Sequence, residues 1–160
     1  MWRGETAKVS SVDVVSEVDI ARSVEDVAAF AGDPENAPAW YGNIARAEWR
    51  TAPPLQEGSV FAFVARFLGR TLAYDYVVVE HAPGERLVMR TSQGPFPMET
   101  TYTWTARGDG THMTLRNRGE PTGFSRLAAP FMAPAMRRAN RKDLAQLKAI
   151  LETTRSSTNP

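Results

Sequence analysis

The chain contains no cysteine, which excludes disulfides, thiolate metal sites and cysteine nucleophiles together. Histidine is nearly as scarce: His81 and His112 are the only two, too few for a histidine-built metal centre. Cofactor motifs are missing as well, since Gly108-Asp109-Gly110 reads as a hairpin turn accompanied by neither a phosphate loop nor a calcium loop. No charge of one sign dominates. Nineteen basic residues against 18 acidic ones leave a net +1 with both signs interspersed, so no field for nucleic acid is indicated. Apolar runs such as residues 77–79 fall far short of a membrane span. The N-terminus, Met-Trp-Arg-Gly-Glu-Thr-Ala-Lys, has no h-region and no cleavage pattern. The expectation is a soluble, cytoplasmic protein without metal, cofactor, nucleic-acid partner or stable membrane insertion, as a monomer or homodimer.

What remains is enough for one domain. A chain of 160 residues buries about two-thirds of its unfolded surface without help. No linker or repeat is visible, so residues 1–154 read as a single unit and 155–160 as a frayed end.

Val12, Val14, Ser16, Val18 and Ile20 alternate with Asp13, Glu17 and Asp19, which predicts a half-buried strand over 12–20. Ser23 then caps a short helix with Val24, Val27, Ala28 and Phe30 on its apolar side, and Gly32-Asp33-Pro34 stops it. Residues 34–41 allow at most a second short helix ending in Trp40-Tyr41-Gly42. From there on the pattern is strands: 44–50, 59–67, 71–81, 86–93, 98–106 and 111–119. Pro53-Pro54, Leu68-Gly69, Pro83-Gly84, Gly94-Pro95 and Gly108-Asp109-Gly110 punctuate them. The class is α+β, with an antiparallel sheet that needs a cover on one face.

Alternation fixes which side chains meet that cover. Tyr102 and Trp104 point inward, with Glu99, Thr101, Thr103 and Thr105 outward; Met113, Leu115 and Asn117 point inward, with Arg116 and Arg118 outward. Leu87, Met89, Thr91 and Gln93 face in, as do Leu72, Tyr74, Tyr76 and Val78. Over 59–67 both parities are apolar; Phe61, Phe63, Ala65 and Phe67 are taken as inward, which leaves Arg66 outside. The inward set is aromatic and nearly uncharged, with Glu80 the one acid on that parity, at a strand end. Its polar tips are the tyrosines, Thr91, Gln93 and Asn117. An unsatisfied buried amide or hydroxyl costs on the order of 1–3 kcal/mol. These groups therefore either bond to one another at the rim of a solid core or face a space filled by a ligand.

The cover is the last fifth of the chain. Residues 122–154 read as one helix, about 45–50 Å long if straight. Leu144, Leu147 and Leu151 make a packing stripe in its second half. The first half is rich in Ala, Met and Phe and carries Pro130 and Pro134, each removing a backbone hydrogen bond. A helix with two prolines in its most apolar stretch is expected to bend over a cavity. Arg137, Arg138, Arg141 and Lys142 form a basic cluster beside it, either a solvated face or a contact for an anionic group.

The order strand, two short helices, six strands and long helix resembles the helix-grip fold of the START-like (SRPBCC) superfamily. In that fold a seven-stranded curved antiparallel sheet wraps around a long C-terminal helix. The group includes polyketide cyclase/dehydrase and lipid-transport proteins. The residues that carry the resemblance are Trp40-Tyr41, Val78-x-Glu80-x-x-Pro83-Gly84-Glu85-Arg86-Leu87, the Gly108–Leu115 turn and strand, and the closing 140–152 helix. It implies a deep cavity between sheet and helix, open near the short helices. By position, Trp40 and Tyr41 would stand near the mouth, and Phe131, Ala135 and Met136 on the helix side, with Asn140 able to turn a polar group inward.

The candidate ligand-binding residues are Trp40, Tyr41, Phe61, Phe63, Tyr74, Tyr76, Met89, Thr91, Tyr102, Trp104, Met113, Asn117, Phe131 and Met136. The sequence supports a binder of a hydrophobic or aromatic small molecule, lipid- or polyketide-like. A polyketide aromatase/cyclase that moves protons through tyrosines and ordered water is the alternative. An interaction domain acting through its outer surface is a third reading. Against the enzyme stands the lack of an inward base. His112, on the outward parity, reads as a solvated edge residue, and His81 as packing over its hairpin.

Overall fold

The strands form because β-branched and aromatic residues recur every second position, and tight turns join them into one antiparallel sheet. In the computed structural model, which describes residues 11–67, 69–93, 96–121 and 124–157, that sheet has seven strands in the order β1-β7-β6-β5-β4-β3-β2. They are β1 Val12–Ile20, β2 Ile44–Trp49, β3 Val60–Phe67, β4 Arg70–Ala82, β5 Arg86–Thr91, β6 Met98–Arg107 and β7 Gly110–Gly119. Helix α1, Val24–Ala31, and α2, Ala37–Trp40, lie between β1 and β2, with a single 3-10 turn Pro34–Asn36 between them. Helix α3, Phe124–Ser157, closes the chain. This is the α+β helix-grip architecture that the sequence predicts.

Local chemistry sets the element ends. Ser23 Oγ accepts from the Asp26 N–H at 3.2 Å and so caps α1. Gly32 ends that helix where any Cβ would lie 2.7 Å from the Ala28 carbonyl oxygen, so only glycine fits there. The Asp33 carboxylate then accepts from the Glu35 N–H at 2.9 Å and starts the 3-10 turn.

The inward face is the expected one on β6 and β7: Tyr102, Trp104, Met113 and Leu115 are buried. Outside, Glu99 bridges Arg90 at 2.7 Å and Arg118 at 3.0 Å, Arg116 pairs with Asp13 at 2.6 Å, and Thr103 hydrogen-bonds Thr114. The ambiguous strand is ambiguous for a reason. On β3, Ala62 and Val64 are as buried as Phe61 and Phe63. Ala62 lies between Glu48 and Asp75 on the neighbouring strands, and Arg50, bonded to both carboxylates, roofs it.

Three parity readings fail at strand ends. Glu80, on the inward parity, is exposed and pairs with Arg86 at 3.1 Å, because the register shifts between Val78 and Glu80. Strand β5 stops at Thr91, so alternation does not carry to Gln93, which bonds to the Asp75 backbone at 2.8 Å and to its carboxylate at 3.3 Å. Leu72, expected to face inward near the β3–β4 turn, is 37 % exposed.

Helix α3 is anchored by its second half. Leu144, Leu147 and Leu151 enter the main core. Glu152 accepts from the Ala21 N–H at 3.0 Å, Lys148 donates to the Asp19 carbonyl at 2.6 Å, and Arg22 donates to the Leu151 carbonyl at 2.8 Å. With neither Gly nor Pro at residues 155–157 the helix continues through Ser157, past the expected end at residue 154. Its first half packs differently, through Met132, Ala133 and Met136 against Val12, Val14 and Phe96. Leu127 and Phe131 there are 77 % and 78 % exposed. Residues 1–10, Leu68, Gly94-Pro95, Thr122-Gly123 and residues 158–160, and the side chains of residues 67, 124–126, 128, 129 and 155–157, lie outside what is described. Among the described residues no helix is long and apolar enough to cross a membrane.

Candidate functional site

A cavity of about 730 Å³ lies between the first half of α3 and the sheet. The loop after α2 supplies Tyr41, Gly42, Asn43 and Ile44 to its wall. Phe63, Ala65, Tyr74, Tyr76, Met89, Met98, Thr100 and Asn117 come from the sheet. The helix contributes Phe131, Met132, Ala135, Met136, Ala139, Asn140, Lys142 and Asp143. The size lies within the range of small-molecule pockets, and the mixture of apolar walls with a few polar groups matches them too.

Eight of the fourteen candidate residues line this space: Tyr41, Phe63, Tyr74, Tyr76, Met89, Asn117, Phe131 and Met136. The other six do not. Trp40, Phe61, Tyr102, Trp104 and Met113 are packed into the core beside it, and Thr91 is buried off the wall. Trp40 is therefore no mouth residue: it is 1 % exposed, its ring 4.0 Å from Tyr41 and 5.8 Å from Tyr102. The four-residue helix α2 turns the indole inward and leaves Tyr41 at the wall.

The polar groups divide into engaged and unengaged. Thr100 donates to the Asn117 amide oxygen at 2.7 Å. The Tyr41 and Tyr102 hydroxyls hydrogen-bond each other. Tyr74 and Tyr76 reach the wall with hydroxyls that find no partner among the described residues. Asn140 is 5 % exposed and its Nδ2 has no hydrogen-bond partner. Burial pushes the Tyr76 phenol up to about 12 and raises Tyr41 and Tyr102 well above the usual phenol value, with the Tyr102 contact and Asp143 adding to the effect on Tyr41. All three are neutral phenols at ordinary pH, able to donate a hydrogen bond and unable to act as bases.

The group that parity missed is Asp143. It is 7 % exposed, and its Oδ1 accepts from the Gly42 N–H at 3.0 Å, which ties α3 to the loop after α2. Burial raises its carboxyl above the ordinary range, against the Gly42 hydrogen bond and the charge of Lys142. The cavity thus holds an acid at its wall, contrary to the expectation of an inward face without one. A signal existed in the sequence: Asn140, Asp143, Leu144, Leu147 and Leu151 stand at i, i+3, i+4, i+7 and i+11, one face of a helix. Strand parity says nothing about helix positions, so it was blind to this residue.

Neither histidine is near. His112 faces outward against Asp19 and Glu17, and His81 stands at a separate surface cavity. No cluster of metal-ligating side chains exists among the described residues.

Residues 11–152 match the family model described as polyketide cyclase / dehydrase and lipid transport. The chain belongs to that family. No curated protein matches it. Among solved structures, this family member is similar to the di-domain ARO/CYC StfQ of the steffimycin biosynthetic pathway, with TM-score 0.78 and 17 % identity. That match covers 96 % of this chain and 54 % of the other, so the chain spans about half the length of StfQ. It is similar also to the Zhui aromatase/cyclase from a Streptomyces species, with TM-score 0.75, 13 % identity and coverage of 89 % and 94 %. A START superfamily protein from Mycobacterium smegmatis gives TM-score 0.67 and 18 % identity, covering 92 % and 99 %. At such identities the likeness shows the fold, and the chemistry has to be argued from the site.

Proposed function

We propose that this family member binds a hydrophobic small molecule, lipid- or polyketide-like, in the cavity between α3 and the sheet. The observation that carries the proposal is the wall itself: apolar over most of its extent, with the Tyr74 and Tyr76 side chains on it and a buried Asn140 whose Nδ2 has no partner. A buried polar group without a partner costs about 1–3 kcal/mol, a cost that a ligand bearing a hydroxyl or carbonyl removes. Burying the ligand's apolar body contributes about 25 cal/mol per Å². Native mass spectrometry of the purified protein tests this. The expected result is a retained apolar mass, displaced by organic solvent; a mass equal to the bare chain after exposure to lipid and aromatic extracts argues against it.

A second reading, ring closure of a bound polyketide, is favoured by one specific observation, the buried Asp143 carboxylate beside phenols. In that reading Asp143 takes the proton from a carbon next to a carbonyl, while a tyrosine hydroxyl donates to the carbonyl oxygen and stabilises the enolate. The enolate carbon forms the new bond to a second carbonyl, whose oxygen takes up a proton. Loss of that hydroxyl, protonated as it leaves, and of a neighbouring proton releases water. Asp143→Asn then abolishes turnover of an added polyketide mimic and leaves its binding intact; equal turnover by both forms would remove this reading.

A further inference from the structure

A second cavity of about 610 Å³ lies outside the one described, between α1 with its following turn and the β2–β3 and β4–β5 connections. Gly32, Asp33 and Pro34 line both it and a void of about 10 Å³, which reaches Phe63 and Met89 of the inner cavity. That void scarcely holds one water, so the two cavities are separate compartments.

Its walls are aromatic and apolar, from Trp49, Trp104, Leu55, Pro34, Pro54 and Ala28. Its charges are of one sign. Glu25, Asp33 and Glu35 line it, and no lysine or arginine does; the only basic-type side chain is His81. Glu25 and Glu35 pair with no cation among the described residues. Trp104, 5 % exposed, closes the inner side of this wall. The frame is fixed by the Ser23 cap of α1 and by Asp33, whose carboxylate holds the Glu35 N–H.

We propose that this outer cavity is a binding site for an organic cation with an apolar body. The carboxylates attract the cationic head, and the aromatic side chain of Trp49 stands beside it while the prolines and Leu55 cover the apolar part. An anion meets three carboxylates here, and a neutral molecule leaves them without a counter-charge.

The test uses the full chain and benzyltrimethylammonium, compared with its uncharged isostere neopentylbenzene, followed through the indole N–H signals of Trp49 and Trp104. The expected result is saturable shifts at both indoles with the cation and at least tenfold weaker binding of the isostere. The double variant Glu25→Gln, Glu35→Gln, at two exposed positions, removes that preference. Ala135→Trp, placed in the inner cavity, leaves cation binding unchanged, which separates this site from the proposed function. Equal binding of the two compounds, a preference that survives the double variant, or no indole shift at millimolar cation overturns the proposal.

Discussion

Asp143 of α3 accepts the Gly42 N–H at 3.0 Å, so the terminal helix and the loop after α2 are joined by one buried carboxylate at the cavity wall. Burial raises its pKa, which means that the folded state binds this proton more tightly than the unfolded chain does. The contribution to stability is most favourable below the unfolded value near 3.8 and is lost as pH rises through the raised folded value. Asp143→Asn, which keeps an oxygen for Gly42 and removes the charge, is expected to be more stable than the parent at pH 7. Urea unfolding across pH should show that advantage shrinking towards pH 3.

His112 titrates with the usual sign for a histidine that gains partners. Its Nδ1 lies 2.7 Å from Asp19 and its Nε2 3.3 Å from Glu17, and the Asp19 hydrogen bond is the main cause of its raised pKa. Its stabilising contribution is complete below 6.5 and fades as pH rises through the folded value. An NMR titration should place the midpoint above 6.5 and move it down in Asp19→Asn. A midpoint at or below 6.5 in the parent contradicts the geometry.

The two halves of α3 carry different loads. Leu147 is 0 % exposed in the main core, and Leu147→Ala is expected to cost about 2–5 kcal/mol. Leu127, 77 % exposed, is expected to tolerate alanine within about 0.5 kcal/mol. Denaturant midpoints at unchanged slope measure both.

Pro130 and Pro134 interrupt the hydrogen-bond ladder only in the first half. Amide hydrogen exchange is therefore expected to be faster over residues 131–136 than over 144–151. Equal protection along both halves would contradict this.

Most of the fold was legible because it rests on short-range signals. Period-two alternation, the Ser23 cap and the glycine and proline turns place every strand and helix within two residues of its observed ends, except the start of α2, where residues 34–36 form a 3-10 turn instead, and the helix end at Ser157. The site was half legible. Parity separates inside from outside, yet it cannot divide the inside into cavity wall and packed core. Tyr102 and Tyr76 share an inward face, and only the three-dimensional position of α2 and Trp40 buries one and leaves the other at the wall. Asp143 was hidden for a different reason, because its neighbours Arg141 and Lys142 make that stretch look like a solvated face.

The central claim is that the space between α3 and the sheet holds an apolar ligand. Ala135 lines that space on an exposed helix position, so Ala135→Trp fills it without disturbing the packing stripe. Titration with the neutral fluorophore 1-N-phenylnaphthylamine measures the difference. The account predicts saturable one-to-one binding to the parent, and binding at least tenfold weaker, a loss of about 1.4 kcal/mol, to an Ala135→Trp variant of unchanged melting temperature. Equal affinity in both proteins, or no saturable binding to either, would contradict it.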